Sequence, residues 1–379
     1  MTSGEVADDE RLMRRALRLA IRGQGRVEPN PMVGCVIVRD GRVLGEGHHA
    51  RFGGPHAEVI ALRNCSASPR GAAAFVTLEP CCYTGKTPPC VEALLAAGVR
   101  RVVAAMPDPN PRVRGRGFAA LRRAGVEVRV GVLRTDAERL NAPFSKLTRR
   151  GRPWVIAKWA QSLDGKLATA TGDSRWITSP PARRHAHQTR GRVDAIVVGI
   201  GTVLADDPLL TCRHGRLRRV ATRVVLDSRL RMPPRARLVT TCRSAPTLVF
   251  CSPVASVRRR LRLEAAGCEV CPVGRDKDGL ALAEALDELG RRKMSNVLVE
   301  GGPRVLSDFL QRGLVDEAHV YVAPLLIGDR AAPGPASGLH TRRVADALRF
   351  DEPRVRRLGP DWLFVQRVAG LRAGLPGGG

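Results

Sequence analysis

His56, Ala57 and Glu58 form one cluster of the chain, Pro80 and Cys81 a second, and Cys90 stands nine residues beyond Cys81. An imidazole and two thiolates can hold Zn²⁺ and leave its fourth position to water, whose pKa the ion brings towards neutrality. A carboxylate two residues from the imidazole is placed to take that water's proton and pass it to a leaving amine. The pattern is that of hydrolytic deamination. A purely structural zinc site needs a fourth protein ligand. Adjacent residues such as Cys81 and Cys82 rarely aim at one ion, and that alternative leaves Glu58 without a role.

The elements around these residues must bring them together. His56 and Glu58 open a helix, Cys81 follows the strand AFVTLEP, and Cys90 follows Pro88-Pro89 at the next helix start, so two helix N-termini favour the thiolates. Upstream, residues 8–22 read as an amphipathic helix capped by Asp8 or Asp9 and ended by Gly23, with Leu12, Ala16, Leu19 and Ala20 on one face. Segments 33–38 and 42–45 flank Asp40-Gly41, a dipeptide suited to a tight antiparallel hairpin. Strands at 74–78, 101–105 and 126–130 then alternate with helices after Pro89 and at 117–124, as in a layered α/β domain. A polar stretch around 146–153 places a boundary near Arg150. Beyond it, strands are expected at 154–159, 195–199, 223–227, 247–251, 296–300 and 318–323. The expected organisation is one domain over 1–150, a second over 151–370, and a frayed tail over 371–379.

The chain's 379 residues suit two domains, each with its own core. Its acidic opening lacks an apolar signal region, and no run approaches the roughly 20 apolar residues of a membrane helix, so a cytoplasmic enzyme away from membranes is expected. Ten scattered cysteines argue against a disulfide scaffold, and Cys242, Cys251, Cys268 and Cys271 read as packing residues. Only six of the 63 basic residues behind the net charge of +27 are Lys. Such an Arg excess in a chain rich in Ala, Gly and Pro fits a compositional bias better than a nucleic-acid footprint, although some Arg can serve an anionic substrate.

Two further segments bear on ligands. Asn30, held between Pro29 and Pro31, has an amide that can meet both donor and acceptor edges of a base. The apolar strand 297–299 leads through Glu300-Gly301-Gly302 into a helix over 303–311, where close backbone approach and a helix N-terminus suit a dinucleotide pyrophosphate. By itself that segment is also an ordinary strand-to-helix turn. The GxGxxG fingerprint is absent, although Gly199-Ile200-Gly201 follows a strand.

With PNPMVG, the Gly45-to-His49 pattern, HAE, and TLEPC followed by GKTPPC, the first half resembles the deaminase half of the bifunctional riboflavin-biosynthesis deaminase/reductases. KWAQSLDGKLAT, GDSRWITS, GIGTVLADDPLLTCR and VLVEGGPRVLSDFL extend the resemblance to the reductase half, over about residues 8–368. It implies a cytidine-deaminase-like three-layer α/β/α domain followed by a dihydrofolate-reductase-like α/β domain, whose binding mode accounts for the missing fingerprint. Zn²⁺ ligands His56, Cys81 and Cys90, proton shuttle Glu58, and substrate contacts Asn30, His49 and Lys86 follow from the same resemblance. So does an NADPH cleft lined by Ala160, Trp176, Thr202, Asp206, Ser228, Gly302, Pro303, Arg304, Val305, Leu306 and Ser307, with substrate contacts Ser174, Arg190, Leu210, Arg213 and Glu300.

Lys158 and Asp206 are candidates for holding the sugar and assisting protonation; a solvated strand-end charge and a turn or helix cap are their plainer readings. Tyr83 stands where similar proteins commonly carry His. The implied substrate is a small phosphorylated pyrimidine and the implied assembly a homo-oligomer. A nucleic-acid-editing deaminase is the main alternative; such enzymes more often have two residues between their cysteines, where this chain has the loop 82–89.

Overall fold

In the computed structural model, residues 3–84, 88–277, 279–336, 339 and 341–369 are described, and the expected tail 371–379 lies outside them. The chain divides into two compact units, Met1–Arg152 and Pro153–Gly379.

The first unit runs α1 (Ser3–Ala20), β1 (Gly34–Arg39), β2 (Arg42–His48), α2 (Ala57–Arg63), β3 (Ala73–Val76), α3 (Cys90–Ala96), β4 (Arg101–Ala104), α4 (Arg116–Arg123), β5 (Glu127–Val130), α5 (Arg134–Leu140) and α6 (Ala142–Arg150). Its sheet has the order β2-β1-β3-β4-β5. β1 runs antiparallel to β2 and β3, whereas β3, β4 and β5 are parallel. Asp40 and Gly41 take φ of 50° and 72°, as the expected hairpin turn requires.

Two local expectations need correction. α1 starts at Ser3, so Asp9 is no cap: it is 3% exposed within the helix and accepts from Arg101 at 2.9 Å and Arg129 at 2.5 Å. A carboxylate turned towards a sheet must be paired, and β4 and β5 supply the guanidinium groups. The polar stretch around 146–153, for which the sequence indicates no element, is helical through Arg150: α6 occupies Ala142–Arg150 and ends at left-handed Gly151, φ 67°. One fully buried position suffices to seat this helix, so its sequence reads as polar.

Glycine sets how closely the helices lie on the sheet. A Cβ on Gly34 would stand 2.0 Å from the Ala16 carbonyl of α1, and one on Gly47 would stand 2.4 Å from both the Ala57 oxygen and the Ala61 nitrogen of α2. Gly47→Ala is therefore expected to push α2, and with it His56 and Glu58, off the sheet, destabilising the unit by about 1–3 kcal/mol. Urea unfolding checks this; an unchanged midpoint would refute it.

The second unit contains β6 (Trp154–Gln161), α7 (Pro180–Arg190), β7 (Ala195–Gly199), α8 (Ile200–Asp206), β8 (Thr222–Leu226), α9 (Arg237–Thr240), β9 (Thr247–Cys251), α10 (Val257–Ala265) and β10 (Glu269–Pro272). A small hairpin, β11 (Arg275–Asp276) and β12 (Gly279–Leu280), leads to α11 (Leu282–Arg291), β13 (Asn296–Val299), α12 (Pro303–Gln311), β14 (Glu317–Val322), β15 (Arg354–Leu358) and β16 (Asp361–Arg367). The main sheet has the order β10-β9-β8-β7-β13-β6-β14-β16-β15. It is parallel from β10 to β14 and antiparallel at β16 and β15. β7 and β13 are buried along their whole length, as central parallel strands covered on both faces should be.

Candidate active sites

Three side chains converge at the helix starts of the first unit. His56 directly precedes α2, Cys90 opens α3, and Cys81 lies in the loop after β3. His56 Nδ1 stands 3.2 Å from Cys90 Sγ and 3.5 Å from Cys81 Sγ, and the Cys90 N–H donates to Cys81 Sγ at 3.3 Å. All three donor atoms lie within 4.8 Å of one another, close enough to share one ion. Hydrogen bonding from Cys90, together with the nearby imidazole, holds the Cys81 thiol well below its ordinary range; the bond to Cys81 and burial hold Cys90 above it. The bond to Cys81 raises His56 as well.

Glu58, in the first turn of α2, is 3% exposed, and its Oε2 has no hydrogen-bond partner. Burial, then the charge on Cys81, pushes its carboxyl up to about 7. Two thiols, an imidazole and an orphaned carboxylate oxygen fit a three-ligand zinc centre with a proton carrier beside it.

The remaining predicted residues of this site are arranged in series. The His49 Nδ1–H donates to the Pro55 carbonyl at 3.0 Å, which leaves Nε2 to accept from Asn30 Nδ2 at 3.3 Å. Burial lowers the His49 pKa and keeps this tautomer neutral. Both ring nitrogens are thus engaged, and His49 grips Asn30. Lys86 lies outside the described residues.

Sequence reasoning missed three supports here. Asn141 accepts from Met32 N at 2.8 Å and donates to Met32 O at 3.0 Å, pinning the Asn30 loop. Glu79 accepts from the backbone N–H groups of Asp108, Gly115, Gly117 and Phe118 at 3.0–3.3 Å, tying the cysteine loop to the start of α4. Asp108, which burial and Glu79 push up to about 6, feels the charge of Cys81 and faces exposed Tyr83 electrostatically. Only the glutamate inside TLEPC gave a local signal for any of them.

In the second unit a cleft of about 1050 Å³ is lined by every residue expected there except Ser307. Ser307 is 3% exposed within α12 and falls outside the lining, so a helical face separates it from Gly302 to Leu306. Arg190 grips Glu300, donating from Nε at 2.9 Å and from its terminal nitrogen at 2.6 Å. Burial pushes Glu300 up, but Arg190 and Lys158 outweigh it and hold the carboxylate below its ordinary range. Burial lowers Lys158, and Glu300 opposes that shift. Asp206 has different company, accepting from Arg175 at 2.8 Å on the exposed end of α8. Lys158 and Asp206 line one cleft through separate contacts.

The glycine turn before α12 has two uses. A Cβ on Gly301 would stand 2.5 Å from Val305 Cβ, so that residue is glycine for packing. A Cβ on Gly302 would meet nothing nearer than Thr202 Oγ1 at 3.7 Å and would fill open cleft at a helix N-terminus. Such a cradle fits a pyrophosphate. Trp176, 68% exposed, has the Arg183 guanidinium 4.3 Å from its ring centroid at the same cleft.

Fold and sites together define a two-part α/β enzyme, a cytidine-deaminase-like unit followed by a dihydrofolate-reductase-like unit. Residues 6–106 match the cytidine and deoxycytidylate deaminase zinc-binding region, and residues 153–364 match the RibD C-terminal domain. The riboflavin biosynthesis protein RibD of Escherichia coli K12 is 43% identical, with 93% of this chain and 97% of that protein covered. The RibD of Bacillus amyloliquefaciens is 42% identical over 93% and 94%. Acinetobacter baumannii RibD superposes with a TM-score of 0.84 at 38% identity, over 96% of this chain and 99% of that one. A diaminohydroxyphosphoribosylaminopyrimidine deaminase/5-amino-6-(5-phosphoribosylamino)uracil reductase from Thermotoga maritima gives 0.84 at 35% identity, over 96% and 100%. The chain belongs to the RibD family of riboflavin-biosynthesis proteins. Among the described residues no helix is long and apolar enough to cross a membrane.

Proposed function

We propose that the two sites of this riboflavin-biosynthesis deaminase/reductase act in turn on one phosphorylated pyrimidine. The first replaces the C2 amino group of 2,5-diamino-6-ribosylamino-4(3H)-pyrimidinone 5′-phosphate by oxygen, releasing ammonia. The second reduces C1′ of the product's ribosylamino group, by way of the opened imine, to the ribityl chain. The meeting of His56, Cys81 and Cys90 beside buried Glu58 carries the first half of this reading.

Zn²⁺ held by those three residues supplies the Lewis acidity that makes water nucleophilic near neutral pH. Glu58 takes a proton on Oε2 and returns it to the departing amine. His49 fixes the Asn30 amide, which reads the pyrimidine edge. Gly302 to Leu306 would hold the pyrophosphate of NADPH, which would supply the hydride. Lys158 holds the sugar and donates a proton, Glu300 and Arg190 set its charge, and Arg213 contributes to gripping the phosphate. Asp206 orients the cofactor side through Arg175. The reading includes a homo-oligomer working in the cytoplasm, which sedimentation and cell fractionation test.

A coupled assay with the diaminopyrimidine phosphate and NADPH should release ammonia and oxidise NADPH in equal amounts. Stripping the metal with a chelator should stop ammonia release, leave reduction of supplied deaminated intermediate intact, and be reversed by Zn²⁺. Undiminished ammonia release from metal-free protein would overturn the first mechanism.

A further inference from the structure

Tyr321 is a large aromatic residue lining the reductase cleft with no part in the chemistry above. It lies on β14, is 1% exposed, and packs with Ala182 and Ala186 of α7 and with Leu363 of β16. Parallel pairing sets Tyr321 beside Ala160 of β6, two residues from Lys158 and therefore on the same face of the sheet. The Lys158 ammonium stands 5.3 Å from the centroid of the Tyr321 ring. On its other side the phenol is anchored to α7, its oxygen 2.8 Å from His185 Nδ1. Three elements thus deliver charge to one place: β6 brings Lys158, the turn after β13 brings Glu300, and α7 brings Arg190. The strand that carries Tyr321 joins them.

We infer that Tyr321 is a positioning residue for reduction, holding the Lys158 ammonium over its ring face while its hydroxyl docks α7 through His185. The negative face of an aromatic ring stabilises a cation over it, most strongly where water is excluded. Around Lys158, Glu300 favours the charged form and Arg190 opposes it, while its register partner His319 is engaged with Glu317 at 2.7 Å. Burial already weakens the ammonium. The ring supports the cation without competing for its proton, so a lysine that acts as an ammonium is helped by Tyr321. His185, which burial pushes down to about 4, stays neutral beside this cluster and adds no repulsion.

The inference rests on Lys158 acting as an ammonium in reduction, and the test separates the two. Reduction of supplied deaminated intermediate by NADPH is followed across pH in Tyr321→Leu, Tyr321→Phe and Lys158→Met. Tyr321→Leu should lower kcat roughly tenfold and move the alkaline limb of the profile about one unit to lower pH, because a less stabilised ammonium loses its proton sooner. Tyr321→Phe keeps the ring and should keep the limb, losing the hydroxyl's bonds to His185 and Thr189 of α7. Should the leucine variant fold poorly, a ring-fluorinated phenylalanine at 321 preserves shape while weakening the ring face, and should shift the limb relative to Tyr321→Phe. Coincident alkaline limbs in the ring-bearing and ring-weakened proteins would overturn the positioning role. Reduction at the native rate in Lys158→Met would instead overturn the role of Lys158 on which it rests.

Discussion

Glu58→Ala is expected to suppress ammonia release by roughly 10²–10⁴-fold, the range over which a positioned proton carrier contributes. Reduction of supplied deaminated intermediate by the same protein should proceed at the native rate, because the two compact units carry separate sites. Zinc content should be retained, since Glu58 is not among the three clustered ligands. Ammonia release at the native rate from a zinc-loaded Glu58→Ala protein would remove the proton shuttle from the mechanism. The expectation draws its strength from burial: a carboxyl at 3% exposure keeps one oxygen, Oε2, without a hydrogen-bond partner beside the clustered donors.

The second large effect should follow Arg190→Ala. Losing one partner of a buried ion pair leaves the other uncompensated, at about 3–5 kcal/mol in stability. Reductase kcat/KM should fall roughly 10²-fold. The pH dependence of stability should also change sign. In the native protein Glu300 is held below its unfolded value, so its contribution is present above the ordinary carboxylate range and is lost as pH falls through the lowered folded value. Without Arg190, only Lys158 is left to oppose burial, and burial is expected to raise Glu300. Its contribution is then present below the ordinary range and lost as pH rises through the raised folded value. Unfolding measured on both sides of the ordinary carboxylate value, from about pH 2 to 7, distinguishes these slopes. Parallel slopes in the two proteins would show that Glu300 does not depend on Arg190.

Much of the first site was legible because its chemistry is written in short segments. HAE and PC each sit at the edge of a helix or strand, and Asp40-Gly41 carries its own turn geometry. The supports were not legible, since they pair residues far apart in the chain. Asn141 reaches Met32, Glu79 receives the loop before α4, and Asp9 is neutralised from β4 and β5. The resemblance groups Ser307 with Gly302 to Leu306 as one run, whereas the turn of α12 leaves Ser307 outside the cleft lining. In the cleft, Lys158 and Asp206 share a wall, yet tertiary packing gives Lys158 to Glu300 and Tyr321 and gives Asp206 to Arg175. α6 escaped notice because a helix that buries little looks, residue by residue, like polar coil.

The Glu79 clamp has a practical reach. The zinc-binding region shared with other deaminases spans residues 6–106, yet the backbone groups that satisfy Glu79 come from residues 108–118, and the amide that pins Met32 comes from residue 141. A fragment cut at residue 106 would keep His56, Cys81 and Cys90 and leave a buried carboxylate without its donors, against a loop whose far anchor is gone. The smallest excisable deaminase is thus set by hydrogen-bond closure, and it extends at least through Asn141.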